Sequence, residues 1–227
     1  MQLPIGLSQI SPCPYLPEEK EQLCFTLCNS QQKTDYYPQL LALGFRRSGN
    51  ELYRPACEHC HACQSLRVDT QAFSASRSQK RILNKNKLVI MQWEEELNQV
   101  DYQLFERYIA ARHQDGSMYP ASEESFFQFL SCEWTHTQYL KLFLNDQLIA
   151  VCVTDVQENA YSAVYTFFEP NLSQLSLGNL AVLMQISAAQ QNNKSWLYLG
   201  YQVDNCKKMN YKRNYLPHQR FINGKWQ

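Results

Sequence analysis

The chain has 227 residues, 44% of them hydrophobic and 13% aromatic. That length buries a core for one large domain or two small ones without staples, and the composition excludes disorder and collagen-like repeats. The net charge is zero, with 21 basic and 21 acidic residues, which taken alone disfavours a polyanionic partner.

No apolar run approaches the roughly 18 residues of a membrane span. Residues 1–20 lack a basic n-region and are broken by Pro4, Pro12, Pro14 and Pro17, so no secretory signal is read there and a cytoplasmic protein is expected. Nine cysteines in such a chain point to reduced thiols or a metal site over a disulfide framework.

The charge is segregated. Residues 46–87 hold nine basic and three acidic groups, residues 88–170 three and thirteen, and residues 171–227 seven and one. If the two basic stretches meet in space they form a surface for a phosphate backbone, while the acidic middle limits non-specific binding.

In chain order, residues 34–43 read as a short helix ended by Gly44, and a Cys-rich loop follows. Residues 73–86 carry Arg77, Lys80, Arg81 and Lys85 at helical spacing and predict a basic helix, with a strand at 88–93 after it. Residues 98–114 place Val100, Leu104, Phe105, Tyr108 and Ile109 on a helical stripe read as core. Ser122 with Glu123 and Glu124 starts another helix. Three antiparallel strands are predicted over 138–144, 148–156 and 160–168, then a helix over 177–190 and a strand over 195–201. A Lys-rich helix over 205–213 and a hairpin at Asn223-Gly224 complete the chain. The fold class is α/β (α+β), with mixed, mostly antiparallel sheets flanked by helices. The strand–helix–strand order resembles acetyl-CoA-dependent acyltransferases and their tRNA-using relatives, an analogy of fold alone. Two halves are expected: residues 1–95 with the cysteines and basic helix, and residues 96–227.

Walker A, dinucleotide Gly, HExxH, GxSxG and kinase motifs are absent. Cys57, Cys60 and Cys63 form C-x2-C-x2-C, a spacing able to converge on zinc or an iron–sulfur centre if Cys13, Cys24, His59 or His61 supplies a fourth ligand. The embedded C-x-x-C-H would suggest haem only in an exported protein. Arg112, His113 and Asp115 beside Gly116, in the block 112–118, could bind an anion and handle a proton, or simply cap a helix end. Ser176, Gly178 and Asn179 form a small-residue turn whose free N–H groups could hold a phosphate or a carbonyl oxygen. Tyr198, Gly200 and Tyr201 precede Lys207, Lys208, Lys212 and Arg213, basic groups interleaved with tyrosine that suit an unpaired RNA end.

Cys13-Pro14-Tyr15, Gly44-Phe45-Arg46-Arg47-Ser48-Gly49, Tyr53-Arg54-Pro55 with the three cysteines, Arg112-His113, Ser176-Leu177-Gly178 and Tyr198-Leu199-Gly200-Tyr201 stand in this order across nearly the whole chain. Together they resemble the arginyl-tRNA–protein transferase family, in its bacterial leucyl branch. The resemblance implies a tandem acetyltransferase-like fold. It also implies transfer of leucine from leucyl-tRNA to proteins with N-terminal Asp or Glu, which enter the N-degron route to degradation. Arginyl transfer by the same mechanism, and a non-catalytic thiolate-metal redox sensor that binds RNA, are the alternatives. The eukaryotic relatives carry a second cysteine close after the first, which is missing beside Cys13 here.

An aminoacyl ester is already activated, so an enzyme need only align an amine, take its proton and stabilise an oxyanion. No cofactor is required for transfer, and an iron–sulfur cluster or zinc at Cys13, Cys57, Cys60 and Cys63 would be additional. Asp115 or His113 is expected to assist deprotonation and Arg112 or Arg54 to read the acidic side chain. Tyr53, Ser176, Gly178, Tyr198, Gly200 and Tyr201 are expected to hold the aminoacyl end. Arg77, Lys80, Arg81, Lys85, Lys87, Lys207, Lys208, Lys212 and Arg213 are expected to meet tRNA phosphates.

Overall fold

The structure is a computed structural model that describes residues 3–116 and 118–227; Met1, Gln2 and Ser117 of the 112–118 block lie outside the described residues. The first elements are β1 (Ile5–Leu7), β2 (Ser11–Pro12), β3 (Lys20–Glu21), β4 (Leu23–Thr26), α1 (Ser30–Ala42), β5 (Arg46–Ser48) and β6 (Glu51–Pro55). β1, β4, β6 and β5 form a four-stranded antiparallel sheet, and β2 pairs only with β3. α1 begins four residues before its predicted start because Asn29 and Gln32 close a capping box, and it ends at Gly44, whose φ of 82° supplies the left-handed turn. Tyr37, Leu40 and Leu41 share a core with Cys24, Phe45 and Leu52.

Next come β7 (Gln64–Asp69), α2 (Arg77–Lys85), β8 (Ile90–Glu94), α3 (Gln99–Arg112), α4 (Glu123–Leu130), β9 (Thr137–Leu144), β10 (Gln147–Val156) and β11 (Ala160–Phe168). α5 (Leu177–Gln191), β12 (Trp196–Gln202), β13 (His218–Ile222) and β14 (Lys225–Trp226) follow. These strands make one eight-stranded sheet in the order β14-β13-β7-β12-β11-β10-β9-β8, antiparallel except for β11 and β12. The expected class, mixed and mostly antiparallel sheets flanked by helices, is what forms.

Alternation along β10 divides the core. Ala150 and Cys152 face α5, and Val151 and Val153 face α3 and α4. Within α3 the buried residues are Asp101, Leu104, Phe105 and Ile109, whereas Val100, expected on the same stripe, is exposed. The meander β9–β10–β11 and the hairpin at Asn223-Gly224 form where predicted, the β9–β10 turn at Asn145 and Asp146 and the hairpin turn carrying residues with positive φ. The Lys-rich helix expected at 205–213 does not form: there is only a 3-10 turn at Asn210–Asn214, because Lys212 is drawn into the core. β7 and β8 precede residue 95 and β9 to β14 follow it, so the sheet spans both expected halves. No helix is long and apolar enough to cross a membrane among the described residues.

Two features of the sheet position the site. β11 and β12 pair only at Ala160↔Trp196, Tyr161↔Leu197 and Ser162↔Tyr198, then part, although β11 runs on to Phe168 and β12 to Gln202. A bulge between Tyr198 and Gly200 bends β12 at the same place. The two basic stretches also meet, since β7 lies between β12 and β13.

Candidate active site

Beyond the point where β11 and β12 part, three pieces of chain converge: the end of α3, the start of α5 and the segment 204–215. Each is tied to the others by named contacts. Tyr108 of α3 packs its ring 4.9 Å from that of Phe168, and the Arg112 guanidinium lies 5.8 Å from the same ring. Gly178 keeps room for Phe168, since a Cβ there would stand 3.3 Å from its Cε1. The Tyr215 hydroxyl donates to Asn179 Oδ1 at 3.0 Å, and the Lys208 ammonium lies 3.7 Å from Asp115 Oδ2.

His113 ends α3, half-buried, with Nε2 3.4 Å from the Tyr108 hydroxyl. Burial, and then the nearby Lys208 ammonium, push its pKa below the usual 6.5, so the imidazole is neutral at pH 7 and free to accept a proton. Asp115 is largely exposed beside it.

α5 differs from the other helices at its start. Asn29, Ser76, Asn98 and Ser122 close capping boxes on α1 to α4. Ser176 adopts left-handed angles and makes no side-chain cap, so the first N–H groups of α5, beside the cleft, lack that partner.

The remaining candidates separate by surface. Arg77, Lys80, Arg81, Lys85 and Lys87 are exposed on or just after α2 and form no ion pair among the described residues. Gln79 of α2 donates to the Asn214 carbonyl at 3.1 Å, tying this helix to the 204–215 segment, where Lys207, Lys208 and Arg213 are also exposed. Lys212 is the exception: it is buried, its ammonium donates to the Tyr201 carbonyl at 2.6 Å, and so it cannot lie along a surface phosphate track.

Tyr198 turns from the cleft into the Arg67–Trp226 cluster, its hydroxyl accepting from Arg67 Nη1 at 3.1 Å. The Tyr201 hydroxyl donates to the Gly44 and Tyr53 carbonyls, at 3.0 and 3.2 Å. Arg54 is exposed on β6, over the Phe45 ring and bonded to the Leu43 carbonyl, so the structure does not bring it to the α3–α5 cleft.

The residue that sequence reasoning missed is Arg46. Its guanidinium reaches from β5 into the gap between the parted strands, where Nη2 donates to the Ala163 carbonyl. It stood in the sequence only as one of two arginines in the Gly44–Gly49 block, with no role assigned, and Arg47 has an unrelated job.

All nine cysteines are free thiols. Cys63 is pushed up to about 12 by burial first, then by the nearness of Cys13, Cys57 and Cys60, which keeps it a protonated, poorly nucleophilic thiol at neutral pH. Among the described residues no group of three His, Cys, Asp or Glu side chains is arranged to hold a metal ion. Beside them is a cavity of about 270 Å³ lined by Glu18, Glu19, Glu21 and Glu58, the wrong charge for tRNA.

Comparison with known proteins agrees with this assembly. The family model "Arginine-tRNA-protein transferase, N terminus" matches residues 11–81, and the corresponding C-terminus model matches residues 100–222. This chain belongs to the arginine-tRNA-protein transferase family. Family members similar to it include proteins named aspartate/glutamate leucyltransferase. One from Pseudoalteromonas atlantica is 52% identical over 98% of this chain and 96% of its own length. Another, from Aeromonas hydrophila, is 47% identical over 99% and 94%, and one from Vibrio vulnificus is 45% identical over 100% and 97%. Among solved structures, L-PGS from Bacillus licheniformis overlaps 62% of this chain and 47% of its own at 10% identity, with a TM-score of 0.48. As a transferase of this family the chain is an enzyme that moves an aminoacyl group from tRNA to protein, and both family matches reach the cleft: one holds Arg46, β7 and the first turn of α2, the other the end of α3, α5 and the 204–215 segment.

Proposed function

We propose that this enzyme transfers leucine from leucyl-tRNA to the α-amine of proteins whose first residue is Asp or Glu, in the cytoplasm, where the product is marked for degradation. The observation that carries this reading is the convergence of a neutral imidazole, an uncapped helix start and a basic segment where β11 and β12 separate. Relatives of 45–52% identity that bear the leucyltransferase name support the choice of leucine and of the acidic acceptor.

The exposed cations of α2 and of the 204–215 segment hold the phosphates of the acceptor end. The acceptor's amine, with a pKa of about 7.7 to 8 in an ordinary peptide, needs only a mild base. His113 takes its proton, directly or through one water, as the nitrogen attacks the ester carbonyl. The new N–C bond forms, the carbonyl oxygen becomes an oxyanion facing the free N–H groups at the start of α5, and the C–O bond to the ribose breaks. The ribose oxygen leaves as a hydroxyl by taking up the proton held on His113. Tyr108 and Phe168 supply an apolar wall for a leucine side chain.

The test is transfer of radiolabelled leucine from leucyl-tRNA to a peptide beginning with Asp, repeated with arginyl-tRNA and with His113→Gln. Leucine is expected on the peptide, arginine at background, and the variant reduced about 100-fold or more in kcat. Label on the peptide from arginyl-tRNA alone would replace leucine by arginine; no transfer from either would overturn the reading.

A further inference from the structure

Two cations occupy the gap between β11 and β12, and among the described residues no acidic side chain pairs with either. Arg46 is 5% exposed; Nη2 donates to the Ala163 carbonyl, which lies past the last β11–β12 pair, and Nη1 is buried with no partner. The Gly200 backbone lies against the guanidinium, a Cβ built there standing 3.6 Å from its Nε and 3.8 Å from Nη2, and the φ of +81° reserves that position for glycine. Lys212 is 6% exposed, with Nζ on the Tyr201 carbonyl at 2.6 Å and 3.6 Å from Met209 Sδ.

Neither cation is in an ion pair among the described residues. The titratable groups that bear on Lys212 are Arg46 from β5, Cys206 and Tyr211 of its own segment, and Cys63 from the loop before β7; none is a carboxylate. Burial, and then the Arg46 charge, bring the Lys212 ammonium down to about 7. A donor buried without an acceptor, and two buried like charges without a counter-ion, are both unfavourable, so the arrangement is completed by an anion from outside the chain.

We infer that Arg46 and Lys212 form the subsite for the side-chain carboxylate of the acceptor's N-terminal Asp or Glu, an assignment that rests on the transfer reading above. A two-oxygen anion at the end of a side chain can reach a slot this narrow. A phosphodiester sits within a polymer, and exposed cations suit it better. The subsite also explains discrimination: the amide of Asn or Gln would turn an N–H₂ group toward the Arg46 guanidinium, which has no lone pair to offer, and it carries no charge to restore the Lys212 proton.

The experiment measures kcat/KM of the wild type, Arg46→Gln and Lys212→Met with leucyl-tRNA and four peptides that differ only in beginning with Asp, Glu, Asn or Gln. Arg46→Gln is expected to cut the Asp-to-Asn and Glu-to-Gln preference by about 30-fold or more, and Lys212→Met by less, with KM for leucyl-tRNA unchanged. Equal losses on acid and amide peptides, or a raised KM for leucyl-tRNA at an unchanged preference, overturn the subsite; the second result would give the pair to a tRNA phosphate. A wild type that transfers leucine to none of the peptides overturns the transfer reading instead. Should a variant fail to fold, the wild type still decides. Calorimetric binding of the Asp and Asn peptides near pH 8, in two buffers of different ionisation heat, is expected to show extra proton uptake for Asp alone as its carboxylate restores the Lys212 proton. Equal uptake for both overturns the subsite.

Discussion

Arg46 and Arg47 are neighbours on β5 and both are buried, yet their surroundings are opposite. Arg47 is saturated. Its Nε and Nη2 hold Asp155 at 2.8 and 2.7 Å, and Nη1 donates to the Gly49 and Ser131 carbonyls. Asp155 in turn accepts from Tyr37 and Thr137, at 2.5 and 2.9 Å. That network ties α1, β5, β9 and β10 together, and every charge in it has a partner. Arg46 faces a carbonyl, a glycine and a lysine, and one of its nitrogens has no acceptor. Burial therefore does not distinguish a structural arginine from a functional one, whereas the balance of donors against acceptors does.

The largest effect that tests this contrast is on stability. Arg47→Met leaves Asp155 buried without its counter-charge, which is expected to cost about 3–5 kcal/mol. The measurement is the urea midpoint at constant slope, and a loss under about 1 kcal/mol would show that Tyr37 and Thr137 suffice for Asp155.

Much of the scaffold is legible from pattern and little of the site is. The β9–β10–β11 meander and α5 are long and strongly periodic, and Ser122 starts α4 where its capping pattern says it should. The four-stranded sheet escaped because its strands run three to five residues and β5 reads Arg-Arg-Ser. β7 escaped because Leu66 and Val68 are its only apolar residues, set between polar neighbours, though it lies inside the large sheet. Among the site residues, the α3 end, Ser176 and Gly178 declare themselves through local turn chemistry. The Lys212 ammonium does not, because its burial depends on the position of the Tyr201 carbonyl, set by a bulge in a strand that pairs with one more than a hundred residues earlier. Spacing made it look like one more surface cation.

A smaller effect, again on stability, separates Lys212 from a structural cation. With a folded pKa of about 7 against the usual 10.5, the unfolded chain holds a proton across that window that the folded chain has released. Stability therefore rises with pH between them and is lost as pH falls toward 7, by up to about 1.4 kcal/mol per unit. Lys212→Met removes this slope, so subtracting the variant's denaturation midpoints from those of the wild type at pH 7.5, 8.5 and 9.5 isolates it and cancels the tyrosines that titrate higher. The difference is expected to climb with pH. A flat difference would mean that Lys212 keeps its proton through an acid partner, and the parallel with Arg47 would then hold after all.

The smallest effect concerns cations that the fold leaves in water. Lys80, Arg81 and Lys85 pair with nothing among the described residues, so changing all three to Gln should alter stability by no more than about 0.5 kcal/mol. On the proposed reading their charge meets the tRNA backbone, one counterion at a time. The triple variant is therefore expected to raise KM for leucyl-tRNA about tenfold near 50 mM salt and to flatten the dependence of log KM on log salt by roughly two to three. The preference for acidic over amide peptides should not move, since that discrimination needs a desolvated pair and the α2 cations are exposed, where solvent screens them. A salt slope equal to that of the wild type would turn α2 away from the tRNA and leave the 204–215 segment alone with the phosphates. A shift in peptide preference would instead mean that exposed and buried cations act on the same ligand.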